Sequence, residues 1–168
     1  MKCRVLIAAI LISIFSSSVM AQVSSGVAYH HFDEGDIAVG ALVGSIGYRF
    51  VINESVSLIP ELRGGIGVND DRFQGVDVEL DALFGGVLRL EVDLNETFYV
   101  QLSPSYVRYK LDFSAPVAGG TFSLSETSND FGIGGGIGFR ANRNFSLEIG
   151  YENIDSVDVF MFGARFDY

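Results

Sequence analysis

DVFMFGARFDY, Asp158 to Tyr168, alternates along its whole length. As an extended strand it sets Phe160, Phe162, Ala164, Phe166 and Tyr168 on one face, with Arg165 and Asp167 on the other. In water, an edge strand carrying a phenylalanine stripe would invite aggregation; in hydrocarbon the same face is well solvated. The stretch therefore reads as the closing strand of a β-sheet that spans a membrane.

Upstream segments repeat the pattern. In Val78 to Val92 the even positions are apolar (Val78, Leu80, Ala82, Phe84, Leu88, Leu90, Val92), while Glu79, Asp81, Arg89 and Glu91 fall on the odd ones. Val56 to Val68, Phe98 to Tyr106, Phe131 to Arg140 and Phe145 to Tyr151 alternate likewise, and no segment after the amino terminus has a helical period worth defending. Strands over Gly26 to Phe32 and Ile37 to Phe50 complete a set of eight with the terminal one, an even number that closes a barrel. The fold class is all-β: an eight-stranded antiparallel up-and-down transmembrane barrel.

The connections fall into two groups. Ile52 to Ser55, Asp93 to Glu96 and Ala141 to Asn144 are tight polar turns, assigned to the periplasmic side. Asp33 to Asp36, Asn69 to Val76, Asp112 to Ser128 and Asn153 to Ser156 become the outer loops, the third being the longest. With strands running alternately up and down, Tyr48, Phe50, Phe98, Phe139, Phe145, Phe166 and Tyr168 form an outward periplasmic girdle, and Phe131, Tyr151 and Phe160 mark the opposite rim. Tryptophan is absent, so tyrosine and phenylalanine anchor the interfaces alone.

The opposite parity collects charge. Arg49, Glu61, Arg63, Glu79, Asp81, Arg89, Glu91, Asp130, Arg140, Glu148, Glu152, Arg165 and Asp167 are expected in the lumen, which eight strands leave just wide enough for side chains to fill. Such a network is either a packed polar plug or an ion pathway. Arg108 and Lys110 lie on the outer parity just beyond the apolar band, where they are expected to contact lipopolysaccharide phosphates. Acidic residues of the outer loops, Asp70, Asp71 and Asp112 among them, suit divalent-cation bridges to the same phosphates.

Lys2 and Arg4 precede an apolar run from Val5 to Phe15, followed by Val19-Met-Ala21. This predicts a cleavable signal peptide over residues 1–21 and a barrel domain over 22–168. Cys3 leaves with the leader, so the mature barrel has no disulfide. Without Lys2 and Arg4 the count is 9 basic against 21 acidic side chains, a net charge of about −12, which argues against nucleic-acid binding. All 20 glycines fall after the leader. The run Gly132-Ile-Gly-Gly-Gly-Ile-Gly138 lacks phosphate-loop spacing and reads as small inward residues making room for large neighbours.

The words GIGFRANRNFSLEIGYENID and GARFDY resemble the carboxy-terminal half of OmpA-type outer-membrane β-barrel (porin family) domains. Gly163-x-x-Phe166-x-Tyr168 resembles the β-signal read by the barrel assembly machinery. The resemblance implies a monomer in the outer membrane of a Gram-negative cell envelope, partnered by lipid and lipopolysaccharide, and by periplasmic chaperones and the assembly machinery during biogenesis. No wall-binding domain is expected after Tyr168, so the peptidoglycan-anchoring role of full-length OmpA proteins is not carried over. No cofactor, metal or catalytic residue is expected. His30 and His31, adjacent on the first strand, share it with Ser24 and Ser25 but form no distinctive nucleophile motif. The expected role is structural and surface-interactive; the alternatives are a narrow pore and an adhesin-like binder working through the third loop.

Overall fold

A computed structural model of the chain describes residues 21–35, 37–73, 76–117 and 120–168. Apart from Ala21, the expected leader lies outside the described residues. Nine strands follow in order: β1 (Ala21–Glu34), β2 (Ile37–Asn53), β3 (Val56–Asn69), β4 (Asp71–Phe73), β5 (Val76–Asp93), β6 (Phe98–Val117), β7 (Gly120–Asn142), β8 (Phe145–Ile154) and β9 (Val157–Asp167). The sheet order is β3-β2-β1-β9-β8-β7-β6-β5-β4, and pairing of β3 with β5 closes it. Short β4 prolongs β3 past Asp70 along the same neighbour, Asp71 opposite Val78, so the barrel has eight antiparallel staves.

Closure runs through the terminal stretch. β9 pairs with β1 from Ser24↔Asp167 to Asp33↔Asp158, and the Tyr168 amide adds a bond to the Val23 carbonyl at 2.9 Å. Phe160, Phe162, Phe166 and Tyr168 are all exposed on the outer face. So are Leu42, Ile46, Leu62, Ile66, Phe84, Leu102, Ile133, Ile137 and Ile149. Hydrocarbon is the medium that makes such a surface stable.

The girdles form as rings paired across strands. Phe98 meets Phe139 (centroids 5.5 Å apart) and Phe145 meets Phe166 (5.2 Å) at the end carrying the short turns. Tyr106 meets Phe131 (4.9 Å) and Tyr151 meets Phe160 (5.4 Å) at the other. The short turns use asparagine: Asn53 Oδ1 accepts the Ser55 amide, and Asn95 Oδ1 accepts those of Thr97 and Phe98. In the third turn Asn142 plays this part, while Asn144 Nδ2 donates to the Asp167 carbonyl.

Two departures from the sequence reading share one cause. β6 and β7 do not stop at Tyr106 and Phe131; they continue as a ribbon paired out to Val117↔Gly120, where an irregular loop was expected. The alternation of β6 inverts at the rim instead of ending. Below Tyr106 the even positions are apolar, and above it Val107, Tyr109, Leu111 and Phe113 are apolar with Arg108, Lys110 and Asp112 between them. Outside the barrel, lipid has given way to water, so the outward parity turns polar while the inward parity joins a core.

β5 meets the same boundary differently. Leu80 pairs with Leu111 but Ala82 pairs with Lys110, so Asp81 is an extra residue and the strand bulges. One added residue exchanges the two faces. Val78 and Leu80 consequently point inward and are buried, whereas Glu79 and Asp81 are exposed on the outside. The sequence reading that put Glu79 and Asp81 in the lumen is thus corrected. Its unbroken alternation concealed both the bulge and the change of surroundings, because the two reversals cancel.

Candidate functional site

The lumen is filled at two levels. The lower level, toward the short turns, is ionic. Arg49 donates to both oxygens of Glu91 at 2.6 and 3.1 Å and also approaches Asp167. Arg63 forms a two-pronged pair with Glu152 at 2.7 and 2.8 Å. Arg165 reaches Glu61 at 2.7 Å and Glu148 at 2.9 Å, and Arg89 reaches the same two carboxylates at 3.1 and 3.0 Å. Arg140 bridges Glu91 and Asp93.

Each of the five arginines thus touches two carboxylates or grips one with two nitrogens, the geometry that best offsets desolvation. Glu91, Glu152 and Arg165 are almost completely buried. Tyr99 donates its hydroxyl to Glu148 at 2.6 Å, Ser105 bonds Glu152, and Ser24 accepts from Arg165 at 2.8 Å. A cavity of about 60 Å³ lies among Glu61, Arg63, Arg89, Gln101, Glu148 and Arg165. That is room for ordered water between polar groups.

The glycine run of β7 makes these contacts possible. Tyr99 stands opposite Gly138 with its ring over the glycine; a Cβ there would lie 1.9 Å from Tyr99 Cζ. The Arg140 guanidinium stacks on the ring, 4.5 Å from its centroid. Gly132 similarly leaves space for Ser105 and Glu152. Gly138→Ala is expected to displace Tyr99 from Glu148 and destabilise the barrel by about 1–3 kcal/mol, measured as a lowered urea midpoint in lipid vesicles.

The upper level is apolar, contrary to the expectation of a polar lumen throughout. Phe32, Val39, Ala41, Val43, Val78, Leu80, Leu83, Val107, Ile154 and Val159 form a buried cluster, with Ile37, Tyr109, Leu111, Phe113, Val157 and Met161 packed against it. His30 is buried in the lumen and His31 faces the other way. Asp130 is on the inward parity as expected, but it belongs to this outer end: it accepts from Ser128 Oγ at 2.5 Å and is hydrogen-bonded to Tyr109, away from the arginines.

On the outside, Arg108 pairs in register with Phe84 at the edge of the apolar band and is exposed. Lys110 is already engaged, donating to Asp81 at 2.7 Å and lying 3.4 Å from Asp112. The hydrogen bond with Asp81 holds the ammonium above its usual pKa. Among the described residues, no group of three or more histidine, cysteine, aspartate or glutamate residues is arranged to hold a metal ion. Tyr99, Ser24 and Ser105 belong to the lumen network and were missed by a reading that counted charges, while Asp93, expected in a turn, joins the network through Arg140. Their inward parity was the available signal.

A model of the family described as outer membrane protein beta-barrel domain matches residues 7–168. Among solved structures the chain is similar to Ail, the attachment invasion locus protein of Yersinia pestis. The TM-score is 0.60 at 19% identity, covering 88% of this chain and 97% of that one. It is also similar to the N-terminal β-barrel domain of Pseudomonas aeruginosa OprF, with TM-score 0.59, 13% identity and coverage of 89% and 100%. Neisserial surface protein A gives TM-score 0.56, 14% identity and coverage of 88% and 97%. No curated protein sequence matches.

Proposed function

Because the chain belongs to the outer membrane protein beta-barrel domain family and is an integral barrel of the outer membrane, we propose that it is a sealed scaffold that presents the β6–β7 ribbon for surface interactions. The observation that carries this reading is the double filling of the lumen, ionic below and apolar above. An ion crossing it would have to part bidentate arginine pairs and then traverse a packed hydrocarbon layer. A narrow pore would need a polar path through the apolar cluster formed by Phe32, Val39, Leu80, Val107 and Ile154.

What projects is the ribbon. Val117 lies eleven residues beyond the girdle residue Tyr106, roughly 36 Å of strand at about 3.3 Å per residue. Phe122 and Leu124 are exposed on it. The reading assigns the barrel no chemistry of its own, and the Ser24 hydroxyl accepts a hydrogen bond from Arg165 inside the lumen. Refolded protein in a planar bilayer is expected to show no steady single-channel conductance; reproducible unitary steps would overturn the sealed reading. Arg108 is the residue best placed for lipopolysaccharide phosphates, since Lys110 is shared by two carboxylates. Arg108→Ala is accordingly expected to weaken lipopolysaccharide association more than Lys110→Ala does, as read by titration in detergent.

A further inference from the structure

The apolar layer is not closed at the top. A cavity of about 90 Å³ opens at the outer mouth, lined by Phe32, Val39, Leu80, Leu111, Phe113 and Val157, with Ile154 beneath and the Glu34 carboxylate on its rim. Leu80 and Ile154 are 2% and 1% exposed, so the floor is firm. The geometry points to a ligand site here for an organic ammonium amphiphile, its short alkyl end in the cavity and its cationic head at the mouth. This goes beyond the scaffold role and stands whether or not the ribbon tip has a partner of its own.

Size and charge select that chemistry. Enclosed apolar cavities of about 150 Å³ take up benzene, so about 90 Å³ open at one end accommodates a chain end of a few methylenes. Such a pocket in a lumen is also poorly matched to a hydrated ion. The head group would meet carboxylates: Glu34 lines the cavity, and Glu126 and Asp130 share the inward parity of β7 opposite Leu111 and Val107. The neighbouring cations Arg108 and Lys110 are on the outward parity, turned away from the mouth. An anionic amphiphile would find the same apolar floor beneath a repulsive rim. The Asp81 bulge creates the site, because without it Val78 and Leu80 would face outward.

The test uses the full barrel in phosphatidylcholine nanodiscs with labelled Ile, Leu and Val methyls, titrated with hexyltrimethylammonium, hexanesulfonate and tetramethylammonium. Saturable shifts at Leu80, Ile154 and Val157 are expected with the first, and binding about tenfold or more weaker with each of the other two. Val157→Phe, a half-buried rim position whose larger ring fills the cavity, should abolish those shifts while folded-barrel gel mobility is retained. Glu34→Gln should bring the affinities for the cation and the sulfonate closer together. Equal affinity for hexyltrimethylammonium and hexanesulfonate, unchanged shifts in Val157→Phe, or non-saturating shifts confined to lipid-facing methyls such as Leu88 and Ile149 would each overturn the assignment. A conducting barrel would refute the scaffold role without touching these outcomes.

Discussion

Glu148→Ala is expected to destabilise the barrel by about 3–5 kcal/mol, the range for breaking a buried ion pair from one side. Glu148 accepts from Arg89, from Arg165 and from the Tyr99 hydroxyl. Without it the two guanidiniums remain in the lumen with Glu61 as their shared carboxylate. The loss would be read as a lowered urea midpoint in vesicles, followed by gel mobility, since the chain has no tryptophan to report unfolding. The control separates pairing from burial. Arg63→Met alone strands the buried Glu152 carboxylate, whereas Arg63→Met with Glu152→Leu removes both charges and is expected to recover most of the loss. If Glu148→Ala unfolds at the wild-type midpoint, the network does not hold the staves together.

Deleting Phe166 to Tyr168 is expected to lower outer-membrane yield by about tenfold or more, because each backbone group left unpaired in hydrocarbon costs several kcal/mol. The deletion removes the Ser25↔Phe166 and Ser24↔Asp167 pairings, the Tyr168 to Val23 bond and the ring contact between Phe145 and Phe166. It thereby opens the β1–β9 seam at the end carrying the short turns. Tyr168→Phe keeps the backbone bond and the aromatic anchor, so its yield should stay near wild type. Quantitative blotting of washed outer membranes distinguishes the cases, and a normal yield for the deletion would count against β9 as the closing stave.

The parts legible in the sequence are those lying within the bilayer. There the outside is predominantly apolar, and a single rule assigns the side chains: even positions of β9, odd positions of β8, even positions of the lower part of β6. The aromatic rims and the inward arginines Arg49, Arg63, Arg89, Arg140 and Arg165 follow from it. The rule fails where the strands leave the membrane. In β6 the failure looked like the end of a strand, because apolar residues changed parity at Val107. In β5 nothing in the sequence looked different, yet Glu79 and Asp81 were placed on the wrong side.

Alternation in the chain therefore determined a closed, lipid-facing barrel with charge inside, because only one arrangement puts period-two hydrophobicity against hydrocarbon on every stave. It could not determine which charges meet, since partners such as Arg63 and Glu152, or Arg165 and Glu61, come from staves brought face to face only across the closed lumen. Nor could it reveal the apolar mouth. A strand's hydrophobic face records what surrounds it and carries no mark of whether that is lipid outside or side chains within. The tertiary structure decides between them, through the Asp81 bulge and the height at which each stave leaves the membrane.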